Sequence, residues 1–325
     1  MSFTGVELLN DVGRACTRPD VSDDPERFFA LLRYATKISR SASNLRLASN
    51  VSIRDQHKAA ILSDELGCGF AFLVASRLLG TSVFLDLHDA VARGLVSTSA
   101  PNSLKPDYIA LPGPAGQIVV LEAKGTQSHR HCPARQIPRG CEQVASLTLP
   151  GGGGVRVVIG VELRKDVHPT NTIVFVGDPE EHRPFMYEFA GTPASVAVRQ
   201  HYMRIAALIG DWQLRREAGR EPLEAEAAPL ATRIIGQREA VGSTFEIHSE
   251  GSVTGFFVGI DLSAREQLLT SLVKTGEPPI IEVEPMHGGV RQSDAFSFFS
   301  VARDGAVLEV WAESRLQDEI FASLA

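Results

Sequence analysis

Asp107, Glu122 and Lys124 are the residues of this chain whose types and spacing could do chemistry. Two carboxylates and one ammonium at the end of an apolar sheet are costly unless they pair or hold a metal. The set suits a hard divalent cation. Mg²⁺ takes oxygen ligands, commonly one or two carboxylates, with water and a substrate phosphate completing its shell. The bland alternative is a surface hairpin with a Glu–Lys pair on one face.

The elements that must position these groups are two strands and a turn. Residues 108–111 form a short apolar run, 112–116 (Pro-Gly-Pro-Ala-Gly) are turn chemistry, and 118–121 are a continuous, mostly β-branched run. Asp107 opens the first strand, and Glu122 and Lys124 close the second. Alternation along a strand puts Glu122 and Lys124 on the same side. In a hairpin the start of the first strand lies beside the end of the second, so Asp107 can meet them. Upstream, residues 53–79 read as one long helix with Glu65 in its middle. Its helical neighbours Ile61, Leu62, Cys68 and Gly69 are apolar or small, so an ionised Glu65 needs a partner, whereas Asp64 reads as solvent-facing.

Pro106-Asp107 followed by Glu122-Ala123-Lys124 resembles the signature of the PD-(D/E)XK nuclease superfamily. The resemblance covers about residues 50–180. It implies an α/β fold with a restriction-endonuclease-like core, a mixed central sheet flanked by helices, followed here by a C-terminal α+β region. It implies metal-dependent hydrolysis of phosphodiester bonds, with DNA the first expectation and RNA left open. Asp107, Glu122 and the carbonyl of Ala123 would hold Mg²⁺ or Mn²⁺, with Glu65 as a further ligand. Lys124 would act on the attacking water. Gln143, on a helix expected over residues 138–147, matches by position a glutamine that several members carry and would be a further catalytic residue, with Gln136 as second choice. Restriction or anti-phage defence is the biological role the resemblance suggests. A nuclease fold that binds DNA or a protein partner without cutting is the alternative reading.

Charge favours the same half of the molecule. The formal net charge is −7, yet residues 1–150 hold 16 Lys/Arg against 14 Asp/Glu and the remainder 16 against 25. A phosphate-binding surface is therefore expected in the N-terminal half. Between residues 27 and 58 basic residues including Arg33 and Arg40 are opposed, from Phe28 onward, only by Asp55. Arg135 and Arg139, spaced i, i+4, can both reach one phosphate. The acidic C-terminal half suits a protein partner or contacts between copies. Lysine is scarce and arginine common, which resembles a GC-rich bacterial coding bias.

The four cysteines form no CxxC pair and point to a reducing, cytoplasmic compartment. His129, His131, Cys132 and Cys141 fit no standard zinc spacing. Residues 151–154 are glycines without the Lys-Ser/Thr of a phosphate-binding loop, and read as a flexible turn. The longest apolar run, about residues 69–75, is too short for a bilayer, so no membrane association is expected.

The remaining expectations are structural. Residues 1–25 read as lacking apolar periodicity, and a helix is expected over 25–39. A strand is expected over 81–85, a short helix over 86–93, and strands over 155–163 and 172–176. Residues 193–218 read as one long helix and 221–229 as an acidic connector. Beyond it, strands are expected near 244–248, 256–260, 280–283 and 296–311, and a helix over 263–275. Asp304-Gly305 reads as a tight turn, His88 as structural and His287 as part of a loop. These readings divide the chain into 1–190 (nuclease-like), 191–230 (helix and linker) and 231–325 (C-terminal α+β).

Overall fold

The computed structural model describes residues 3–18, 24–35, 37–38, 45–49, 51, 56–92, 96–98, 105–112, 116–128, 131–148, 154–179, 187–189, 193–219, 229–249, 252–292 and 295–313. Arg40, His129, the glycines 151–153 and the connector 221–228 lie outside these. In chain order the elements are α1 (Gly5–Cys16), α2 (Asp24–Ala35), α3 (Gln56–Leu79), β1 (Val83–Asp86), α4 (Leu87–Ala92), β2 (Val96–Thr98), β3 (Tyr108–Leu111) and β4 (Val119–Thr126). A π-helical turn (Cys132–Gln136) leads into α5 (Ile137–Ala145), followed by β5 (Leu147–Thr148), β6 (Val155–Glu162), β7 (Ile173–Gly177) and β8 (Tyr187–Phe189). Then come α6 (Pro193–Ile209), α7 (Trp212–Gly219), β9 (Ala231–Ile235), β10 (Arg238–Ser249), β11 (Ser252–Asp261), α8 (Leu262–Thr275), β12 (Met286–Gln292), β13 (Ala295–Val301) and β14 (Ala306–Glu313).

The chain is mixed α/β and divides into two compact units, which do not follow its linear order. One comprises Ile53–Leu163 and Ile173–His201, the other Met1–Ser52, Arg164–Thr172 and Tyr202–Ala325. This differs from the division at 190 and 230 expected above. The reason is α1, which packs on β13 and β14. Asn10 Nδ2 donates to the Ala306 carbonyl (3.3 Å), and Arg14 is ion-paired with both Asp11 and Asp304 inside the core.

The unit holding the Asp107 motif is built on a five-stranded sheet in the order β1-β3-β4-β6-β7. β4 and β6 are parallel and the other pairs antiparallel, so the sheet is mixed as expected. The hairpin pairs Tyr108 with Leu121, Ile109 with Val120 and Ala110 with Val119. Helices cover both faces. Lys124 lies beside Gly160 and Gly125 beside Val161, so each pair shares a face. A Cβ on Gly125 would strike the Ser63 carbonyl of α3, at 1.6 Å, whereas one on Gly160 would strike Ile137 and Cys132 of α5 and the π-turn. α3 and α5 therefore lie on opposite faces. Phe72 of α3 stacks on Phe84 at 3.9 Å and meets Tyr108 edge-on, closing the core under α3. A separate three-stranded sheet, β2-β8-β5, was not foreseen from strands this short.

By length and composition alone α3 could cross a bilayer. Counting only the run 69–75 missed this, because Ala59, Ala60, Ile61, Leu62, Leu66 and Cys68 carry the apolar character back along the helix, interrupted by Asp64 and Glu65. In the folded unit 61% of that stretch is buried, and it packs on β4 and β6.

The other unit holds a six-stranded antiparallel sheet, β12-β13-β14-β11-β10-β9, with no strand shared with the first. Several expectations change here. Residues 1–25 contain α1, started by a capping box in which Thr4 and Glu7 satisfy each other's backbone N–H groups. The expected helix 193–218 is two, α6 and α7, broken at Gly210 with φ +73°. Residues 280–283 form no strand, and their place in the sheet is taken by β12, which contains His287. Asp304-Gly305 forms the turn between β13 and β14 as expected, with Gly305 at φ +86°.

Candidate active site at the open end of β4

β3 stops pairing with β4 at Tyr108–Leu121, whereas β4 runs on beside β6 as far as Thr126–Glu162. Among the described residues no strand continues along the other edge of β4 from Glu122 onward. Asp107 stands at this fork and is fixed through three polar groups. Its N–H donates to Glu122 Oε2 (2.9 Å), its Oδ2 accepts from the Ala123 N–H (2.9 Å), and its carbonyl accepts from the Leu87 N–H (2.9 Å). An extended residue points its N–H and C=O to the same edge, so the Ala123 carbonyl also faces the Asp107 side. Lys124 is ion-paired with Glu122 Oε1. Asp107, Glu122, Ala123 and Lys124 are thus brought together as the sequence spacing required.

The electrostatics of the trio are unbalanced. Glu122 is 0% exposed, and Asp107 and Lys124 are half-buried. One ammonium cannot neutralise two carboxylates. Burial, and then the charge of Asp107, push Glu122 up to about 9 against the opposing pull of Lys124. Burial also raises Asp107, which Lys124 and the Ala123 N–H oppose and the charge of Asp64 reinforces. At neutral pH the pair keeps a proton that ordinary carboxylates would have lost. A bound cation would supply that positive charge instead.

The donor set fits a hard cation of the Mg²⁺ type. It offers two carboxylates and a main-chain carbonyl aimed at one edge, which leaves room for the water that Mg²⁺ retains. Among the described residues no group of three or more His, Cys, Asp or Glu is placed to hold a metal ion, so the side-chain ligands here are the two carboxylates alone. Cys132 is buried against Gly160, and Cys141 is half-buried on α5.

α3 departs from expectation. Glu65 is half-buried on a helix that covers the face of β4 opposite Glu122 and Lys124. Asp64, exposed on α3, is one of the charges that raise Asp107, after burial.

Gln143 is buried on α5, and its Nε2 donates to the Lys105 carbonyl at 2.6 Å. Gln136 is half-buried at the end of the π-turn. Arg135 and Arg139 are exposed on the π-turn and α5, in the unit that holds the motif. Arg33 belongs to the other unit, where its guanidinium lies over the Tyr34 ring at 5.3 Å.

Glycines are the functional residues that motif reading missed. A Cβ on Gly67 would stand 2.8 Å from the Gly125 nitrogen, and one on Gly140 would stand 2.5 Å from Val158 Cγ1 and 3.3 Å from Glu122 Cγ. Gly125 lets α3 close on the strand that carries Lys124, and Gly140 lets α5 close on Glu122. A glycine directly after Glu-Ala-Lys inside a strand was the available signal, since strand glycines often mark close backbone approach. No protein-family model matches this chain, and neither a curated protein nor a solved structure shows significant similarity to it.

Proposed function

We propose that this protein is a metal-dependent nuclease of the PD-(D/E)XK kind that hydrolyses phosphodiester bonds in DNA. The observation that carries the reading is the meeting of Asp107 and Glu122 at the end of β4, one half-buried and one buried carboxylate beside a single lysine, which is paired with Glu122. Asp107 Oδ2 accepts the Ala123 N–H, but one lysine beside two carboxylates still leaves excess negative charge for a cation to balance.

In this reading Asp107, Glu122 and the Ala123 carbonyl hold Mg²⁺ or Mn²⁺, with Asp64 placed to add charge from α3. When bound, the cation polarises the phosphate and lowers the pKa of its water. A bound cation would favour the ionised forms of Glu122 and Asp107 and lessen their hold on the Lys124 ammonium. Lys124 then orients the attacking water and offsets charge as it builds on the phosphate oxygens. Arg135 and Arg139 grip the phosphate backbone without touching the reacting atoms. Restriction or anti-phage defence is the setting this activity suits.

The test is incubation of the purified protein with linear, circular and single-stranded DNA, with Mg²⁺ and separately with EDTA. Cleavage that needs the cation supports the reading. Intact DNA under every condition, together with tight DNA binding, would favour the non-cutting alternative.

A further inference from the structure

α5 touches both halves of the carboxylate pair through residues three apart on one helical face. Gly140 lies against the stem of Glu122, and Gln143 holds the chain two residues before Asp107. A carbonyl oxygen only accepts, so the Gln143 group facing Lys105 is the amide nitrogen, and Oε1 is left buried with no donor. Burying an amide in this way is unfavourable unless the one bond it makes matters. Lys105 is joined to Asp107 through Pro106, which is buried and whose ring fixes one backbone dihedral. Little slack remains between the Gln143 bond and the Asp107 carboxylate.

We infer that Gln143 is a positioning residue: its amide latches the Lys105 carbonyl, sets where the chain enters β3, and so holds Asp107 at its working distance from Glu122. Gln143 touches none of the reacting groups, and this differs from the catalytic role expected from its place after Glu122-Ala-Lys124. Only a donor-bearing side chain of this length serves. Glutamate would present an acceptor to a carbonyl and add a charge of the wrong sign near the pair. The functional consequence rests on the cation-binding reading of the pair, whereas the latch itself does not.

The experiment compares wild type with Gln143→Met, which keeps the length and loses the donor. Amide hydrogen exchange is read in the cation-free protein at Asp107 and Ala123, whose N–H groups donate to the two carboxylates, with Ile159 of β6 as control. Loss of the latch is expected to speed exchange at Asp107 and Ala123 about tenfold and leave Ile159 unchanged. Unchanged exchange at all three overturns the inference, and so does uniform acceleration, since either makes Gln143 a packing residue. Mn²⁺ titration by calorimetry is the second arm. An affinity about tenfold weaker in Gln143→Met, with DNA affinity retained, supports positioning; equal Mn²⁺ affinity in the two proteins overturns it. If wild type takes up no Mn²⁺ while the exchange result holds, the nuclease reading falls and the latch stands.

Discussion

Replacing Glu122 by Gln should make the cation-free protein less sensitive to alkaline pH. Glu122 is completely buried and is raised from 4.5 to about 9, chiefly by burial and then by Asp107. Between those values the folded protein holds a proton that the unfolded chain has released. This proton's contribution to stability is therefore complete below about 4.5 and is lost as pH rises through about 9. One proton contributes a slope of about 1.4 kcal/mol per pH unit, so wild type should lose roughly 3 kcal/mol between about pH 5.5 and about pH 8. Gln keeps the volume and one acceptor oxygen, which can take the Asp107 N–H while its NH2 replaces the oxygen that met Lys124, and it does not titrate. The assay is urea denaturation at a series of pH values, with EDTA and again with Mg²⁺. The slope should largely vanish in Glu122→Gln, and Mg²⁺ should flatten it in wild type by taking the proton's place. An equal slope in both proteins without cation would refute the argument that the buried pair stores a proton.

Lys124→Ala should abolish cleavage, by a hundredfold or more for a lost transition-state contact worth on the order of 3 kcal/mol. DNA affinity measured in parallel should hardly change. Gly125→Ala places a methyl 1.6 Å from the Ser63 carbonyl, with backbone on both sides. It should cost about 1–3 kcal/mol or more and lower the melting temperature. Arg135→Ala and Arg139→Ala should each weaken DNA binding and reduce the salt slope of log K by about 1, as seen in titrations at several salt concentrations. A slope that stays at its wild-type value would remove these arginines from the phosphate surface.

The sequence by itself determined the hairpin and its chemistry. Its Pro-Gly turn and two apolar runs dictate antiparallel pairing, and strand alternation then places Asp107, Glu122 and Lys124 together, because each step depends only on near neighbours in the chain. The helix, hairpin, helix and strand order from α3 to β6 was legible for the same reason, as was the Asp304-Gly305 turn. α1 was legible too, through its Thr4–Glu7 capping box, although its apolar pattern was passed over. What only the tertiary structure decided concerns groups far apart in sequence. That the charge of Asp64 reaches Asp107 depends on how α3 lies over β4. Gln143 reaches Lys105 because α5 lies on the Glu122 face of the sheet, held close by Gly140. Residues 1–52 join the C-terminal sheet because Arg14 and Asp304 bury their charges together. Local periodicity carries no information about such partners. A buried charge or amide acquires its meaning from whichever group the fold sets against it, and that is fixed only when helices and sheets pack.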